Sequence, residues 1–271
     1  MNNYYEYCDD FRDASEYIFN WIKVQPSVGE ESITDWLLYN LSLKVPHLKY
    51  RKFTRHEEAK RTGADWEWWF IDDYKGLSLR VQAKKIFEGK DNYDGLAYTN
   101  RDGLQIEKLL ADSKLENSLP FYSLYHAAPD GNPLVLCEGM INAGRGQGVF
   151  LAGAENLYSK YIVGGRKRIE AKDLLSRSNP LHCLVCCRKF GPGMPDGVDH
   201  IYSYLKYYYP ENIKKMNSDI DSPGLHKEAP AYVLSLLKLE EAIIPEWWEK
   251  EFSYQIEGLN ALLIVDLRGK E

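Results

Sequence analysis

No stretch of this 271-residue chain approaches the ~20 consecutive apolar residues that a membrane-spanning helix needs, so helical insertion into a bilayer is not expected. The opening Met1-Asn2-Asn3-Tyr4-Tyr5-Glu6 does not read as a secretory signal. Cysteine is scarce. There are five, an odd number, and Cys183, Cys186 and Cys187 share one apolar run; that usage suits a reducing cytoplasm better than a disulfide framework. Internal repeats and low-complexity tracts are lacking. So is a standard phosphate loop: Gly144-Arg145-Gly146-Gln147-Gly148, behind a strand-like run at Leu134–Cys137, fits neither the dinucleotide nor the P-loop spacing and reads as a turn.

Positive charge is also in short supply. The formal charge of −6 argues mildly against a nucleic-acid partner, because phosphate contacts come from Lys and Arg. Its distribution matters more than its sum. Five Lys/Arg and two Glu lie between Arg51 and Arg61, and Arg166-Lys167-Arg168 is a second cluster. Either could border a substrate groove, and such clusters are more often solvated faces. The 20 tyrosines, among them Tyr207-Tyr208-Tyr209, could stack on bases but more often fill cores.

The sharpest feature that is present is Gly63-Ala64-Asp65-Trp66, followed by Val81-Gln82-Ala83-Lys84-Lys85. Asp65 to Ile71 and Leu77 to Ile86 read as two strands joined by the turn Asp72-Asp73-Tyr74-Lys75-Gly76. Antiparallel pairing about that turn sets Asp65 opposite Gln82. In the second strand Leu77, Leu79, Val81 and Ala83 alternate with Ser78, Arg80, Gln82 and Lys84, so Gln82 and Lys84 share a face. A hairpin that is polar on one face is more often simply solvated. Here Trp66, Trp68, Trp69 and Phe70 make the first strand bulky on both faces, which predicts burial on both sides. A carboxylate and an ammonium in such a place need compensating partners.

These residues resemble the PD-(D/E)xK nuclease superfamily, the restriction-endonuclease-like fold, in which an acid opens one strand and an acid-x-Lys triplet lies on the next. Asp65 matches the first acid in a Gly-Ala-Asp setting, and Lys84 matches the lysine. Gln82 departs from the usual acid; a Gln-x-Lys version occurs in several branches, including bacterial anti-phage effectors and restriction enzymes, and leaves a metal with one less formal charge. The wording Gly-Ala-Asp-Trp-Glu-Trp-Trp-Phe with Gln-Ala-Lys looks like a family of uncharacterised bacterial proteins within that superfamily.

The resemblance implies an α/β fold whose core is a central mixed sheet flanked by helices, with an N-terminal helix and a mainly helical C-terminal extension. It also implies a glutamate on the preceding helix. Glu30-Glu31-Ser32-Ile33-Thr34-Asp35 opens a segment whose Ile33, Trp36, Leu37, Leu38 and Leu41 suit a helix packed on a sheet. The motif's register favours Glu31, with Glu30 next, although two acids at a helix start suit the dipole without any further role. Leu48 to Thr54 reads as a strand, Gly103 to Leu110 as a helix and Pro120 to Tyr125 as another strand. Some branches use a glutamine on that later helix near the nucleic acid, which makes Gln105 a candidate.

The implied organisation is a helical segment over 1–29, including a helix from Asp10 to Val24, a nuclease core over 30–190, and an extension over 191–271. The turn-rich Gly191-Pro192-Gly193-Met194-Pro195-Asp196-Gly197 marks the last boundary. Beyond it Val198–Tyr209 and Glu228–Glu241 read as helices and Leu259–Leu267 as a final strand. Whether this part completes the core, forms a dimer surface or binds a partner is left open. At this length roughly 73% of the unfolded surface is expected to be buried, enough for one substantial core.

The implied activity is Mg2+- or Mn2+-dependent hydrolysis of a nucleic-acid backbone, DNA first, in the cytoplasm and in the setting of anti-phage defence. A homodimer or a defence-system partner protein fits that setting. Asp65 and the Gln82 side-chain oxygen would be direct metal ligands, Glu31 a ligand directly or through water, and Lys84 the group that orients the attacking water. The alternative is an inactive scaffold of the same fold that binds nucleic acid or a partner. A zinc deaminase reading rests on His56-Glu57-Glu58 and Cys183-Leu184-Val185-Cys186. It is weak, because Pro180 is not adjacent to Cys183 and Leu181 to Cys187 reads as a buried strand.

Overall fold

A computed structural model describes residues 4–53, 63–86, 91–100, 103–127, 147–166, 168–187, 197–215, 222–239 and 243–269. Helices α1 (Tyr4–Val24) and α2 (Glu30–Lys44) lead into strand β1 (Leu48–Lys52). The hairpin follows as β2 (Trp66–Ile71) and β3 (Gly76–Lys85). Helix α3 (Gln105–Leu115), β4 (Leu119–Tyr125), β5 (Val149–Gly153) and the short β6 (Asn179–Pro180) come next. The last major elements are α4 (Gly197–Tyr208), the short β7 (Leu225–His226), α5 (Ala231–Lys238) and β8 (Ala261–Asp266).

Eight strands form one mixed sheet in the order β1-β8-β2-β3-β4-β5-β6, with β7 paired to β3. The hairpin registers Trp66 against Val81 and Ile71 against Gly76. Its turn is tied by Asp72, whose Oδ1 accepts from the Tyr74 and Lys75 amides at 2.9 Å each. Strand β3 runs antiparallel to β2 and parallel to β4. It is therefore paired on both sides, which suits its long apolar alternation.

Each face of the sheet is covered. Leu77, Leu79, Val81 and Ala83 of β3 join Trp66, Trp68 and Phe70 in a core shared with α1, α2 and α4. Phe11 stacks on Trp68 with ring centroids 5.9 Å apart. The opposite core gathers Trp69, Ile71, Tyr122, Leu124, Leu262 and Ile264 with α3, α5 and Trp248. Strand β2 is buried on both faces.

One open question closes and two expectations change. The segment 191–271 contributes to the sheet: its β8 lies between β1 and β2, antiparallel to the first and parallel to the second. The apolar run from Ala261 to Val265 supplied the strand signal, but nothing in its residue types says which strands it joins. Leu181 to Cys187 is a turn and a short helix, Cys183–Cys186, rather than a strand. Leu181, Leu184 and Cys187 all belong to the core, and a short apolar run fits either period. Finally, Cys8 is disulfide-bonded while Cys183 and Cys187 are buried free thiols. The packing of α1 against the Cys183–Cys186 turn brings cysteine-bearing segments together. His56, Leu134–Cys137 and Gly144–Gly146 lie outside the described residues, as do Lys167, Gly191–Asp196 and most of the Arg51–Arg61 cluster.

Candidate functional site

The polar face of β3 is roofed by α3. Gln82 and Arg80 are two residues apart on the strand, and Gln105 and Asp112 are seven apart on the helix, so each pair occupies one face of its element. The two pairs meet: Gln105 Nε2 donates to Gln82 Oε1 at 2.8 Å, and Arg80 forms a short ion pair with Asp112. Gly63, with φ +66°, brings the chain against the first turn of α3. A Cβ there would sit 2.6 Å from the Gln105 carbonyl oxygen. Two residues on, Asp65 stands at the mouth of β2.

Asp65 extends the hairpin register by one step. Its amide donates to Val81 O at 2.8 Å, and its carbonyl accepts from Asn260 N at 2.7 Å. Its Oδ2 accepts from the Ala83 amide at 2.7 Å and from Gln82 Nε2 at 2.5 Å. Gln82 Nε2 also reaches Ala83 O at 3.1 Å. Gln105 Oε1 is buried with no hydrogen-bond partner among the described residues.

The helix glutamate that enters the site is Glu30. Its Oε2 accepts from the Lys85 amide at 2.8 Å, and its Oε1 lies 3.7 Å from Lys84 Nζ. Glu31, favoured by the motif's register, lines the same cleft but is more exposed, and Glu30 is the one that meets Lys84. The reason lies in Lys85, a residue to which the sequence pattern assigns no role. Its side chain points away from Lys84 and donates to Val28 O at 2.7 Å and, by a short bond, to Pro26 O. That staple fixes the entry of α2 and turns its first residue toward β3. Two adjacent lysines at the end of an apolar strand were the available signal.

Lys84 rests against Gly95, in the turn Asp94–Ala97, where a Cβ would come within 2.9 Å of Lys84 Cδ. The cleft has a volume of about 390 Å³ and is lined by Glu30, Glu31, Asp65, Gln82, Lys84 and Gln105, with others at its rim. Burial pushes the Asp65 carboxyl from 3.8 up to about 7, opposed by the Lys84 ammonium and the Ala83 amide and reinforced by Glu30 and Glu31. Burial likewise raises Glu30, against the pull of Lys84 and the Lys85 amide. Two carboxyls thus share the Lys84 ammonium.

The donor set offers a hard divalent cation two carboxylates; the Gln82 amide presents its NH2 to Asp65 and its oxygen to Gln105. It is lean, since among the described residues no group of three or more His, Cys, Asp or Glu is placed to hold a metal.

Comparison with known proteins adds one finding. Residues 7–266 match the model of a family described as "Family of unknown function (DUF6615)". The chain belongs to this family. The match spans the sheet from β1 to β8, so the Asp65 hairpin and the C-terminal strand fall within one family unit. Among curated proteins and solved structures, none matches the chain.

Proposed function

We propose that this DUF6615 chain is a Mg2+- or Mn2+-dependent nuclease of the restriction-endonuclease-like fold, a Gln-x-Lys form of the PD-(D/E)xK superfamily acting on DNA. The observation that carries this reading is the convergence of Asp65, Glu30, Gln82 and Lys84 on one cleft. The parts come from α2, the start of β2 and the end of β3, the order of elements that the superfamily uses. Anti-phage defence and a cytoplasmic setting are part of the proposal on the resemblance alone.

Asp65, Glu30 and Gln82 would hold the ion, with Glu31 reaching it through water. The bound ion would neutralise charge at the phosphoryl oxygens and lower the pKa of a water. Asp65 carries the anchoring charge and is fixed by the Ala83 amide. Glu30 holds the Lys84 ammonium near the middle of the cleft. Lys84 would orient the attacking water and meet the scissile phosphate. Gly95 leaves room for its stem. The second reading, a scaffold that binds without cutting, is favoured by the orientation of Gln82, whose amide nitrogen faces Asp65.

A titration with Mn2+ separates the two readings, because the scaffold needs no ion there. The nuclease reading expects one site in the wild type and none in Asp65→Ala; no binding in the wild type would remove it. The site also has a pH signature. A carboxyl held near 7 must lose its proton to bind a cation, so affinity is expected to fall roughly tenfold from pH 8 to pH 6, with proton release per ion rising from near zero towards one across that range. Stability without metal follows the opposite course. The folded carboxyl keeps a proton that the unfolded chain gives up near 3.8, so stability is lost as pH rises from about 4 to 7. Urea midpoints across that range, with and without Mn2+, check the sign.

A further inference from the structure

The side-chain amides of Gln82 and Gln105 form a chain with a direction. Gln105 Nε2 donates to Gln82 Oε1 at 2.8 Å, and Gln82 Nε2 donates to Asp65 Oδ2 at 2.5 Å. In this direction a donor faces the carboxylate, and the side-chain oxygen of Gln82 is turned away toward α3. An amide nitrogen has no lone pair to offer a cation, so a cation beside Asp65 requires the oxygen in its place. Turning Gln82 alone would set its NH2 against the NH2 of Gln105 and leave a buried donor unsatisfied, at a cost comparable to that of a lost hydrogen bond. Turning both amides keeps a hydrogen bond between the two side chains, gives up the Gln82 bond to Ala83 O, and moves the Gln105 NH2 to the place its unpartnered oxygen now holds. The Gln105 oxygen, buried and without a partner among the described residues, becomes the acceptor for Gln82 Nε2.

We infer that Gln82 and Gln105 act as a paired amide switch. Without a cation the pair runs Gln105 to Gln82 to Asp65; with a cation beside Asp65 both side chains turn by half a rotation about their last bond. Gln105 is then a positioning residue for the ion rather than a ligand. This inference rests on the metal-dependent reading of the cleft. It explains how a neutral glutamine stands where an acid is usual: the acceptor on α3 holds its oxygen toward the ion. The first turn of α3 is itself fixed by the close approach of Gly63 and by the Gln105 amide bonded to Tyr98 O at 3.0 Å. The acceptor is therefore pre-placed rather than recruited.

The side-chain NH2 resonances of the isotope-labelled full chain, followed through a Mg2+ titration, test it. In the wild type the Gln82 and Gln105 pairs are expected to shift together, with a single midpoint. Gln105→Glu replaces the two-faced amide by a pure acceptor, so the Gln82 pair should sit at its metal-bound position before any Mg2+ is added, and the midpoint should fall about tenfold. Charge alone would alter the midpoint without pre-shifting the Gln82 pair. If Mg2+ binds the wild type while the Gln105 pair stays still, the switch is wrong and the metal site stands. The switch is equally wrong if Gln82 in Gln105→Glu keeps its metal-free position. If backbone amides around Asp65 and Ala83 show no response to Mg2+ or Mn2+, the metal reading and the switch fall together.

Discussion

Lys84→Ala is expected to lower cleavage by at least about 10³-fold while Mn2+ still binds. The lysine is largely buried on β3, with a side-chain exposure of 13%, and its Nζ stands 3.7 Å from Glu30. Removing one pre-placed electrostatic donor from a shielded site costs about 10²–10³ in rate, and a lysine that also orients the nucleophile adds to that. The ion should not leave with it. Lys84 competes with a cation for the same two carboxylates, so its loss leaves Asp65 and Glu30 more available, and Mn2+ affinity should hold or tighten. Asp65→Ala should lose both binding and cleavage. The pattern that checks the assignment is thus a split: Asp65 needed for binding, Lys84 needed only for turnover. Plasmid, linear duplex, single-stranded DNA and RNA are the substrates to assay, with Mg2+ or Mn2+. Undiminished cleavage by purified Lys84→Ala would remove the lysine from the chemistry. Cleavage by neither protein, with Mn2+ bound by both, would point to an effector that awaits a partner.

The hairpin was readable because its information is local. Asp65 and Gln82 are tied by strand period and turn position, and the observed register, Trp66 opposite Val81, continues to that pair. The double burial of β2 was readable from Trp66, Trp68, Trp69 and Phe70 for the same reason. What the sequence did not disclose depends on contacts between distant segments. Glu30 rather than Glu31 faces Lys84 because Lys85 staples residues 26–28, and nothing in the helix pattern records that staple. Strand β8 could be recognised as apolar, yet its place between β1 and β2 is a matter of topology. Gln105 is a candidate by resemblance alone, and its contact with Gln82 depends on α3 lying over the polar face of β3. Ser78, Arg80, Gln82 and Lys84 look like a solvated stripe when counted along the chain, but Arg80 and Gln82 lie buried beneath that helix.

Arg80 carries the largest structural consequence of that burial. Its guanidinium is 2% exposed and lies between two carboxylates, with Nε 3.4 Å from Glu67 Oε1 and a short contact from Nη1 to Asp112. Tyr232 donates its hydroxyl to Glu67 Oε2 at 2.5 Å, and burial beside Glu67 drives its pKa well above 10. Arg80→Met keeps the length and packing of the stem but leaves Glu67 and Asp112 facing each other without a cation. Breaking a buried pair in this way costs about 3–5 kcal/mol, a large share of the 5–15 kcal/mol by which a domain is typically stable. For a chain of this size the melting temperature should drop by roughly 10 °C. Replacing the carboxylates as well, in Glu67→Leu, Arg80→Met and Asp112→Leu together, removes the unpaired charges and should recover much of the stability, since an apolar set of similar volume often matches a buried ion cluster. Asp112 also holds α3 down seven residues from Gln105, so Arg80→Met should weaken Mn2+ binding at a site that it does not touch. A variant as stable as the wild type at pH 8 would show that the cluster contributes little, and would leave the position of α3 to its apolar contacts, Ile106 and Leu109.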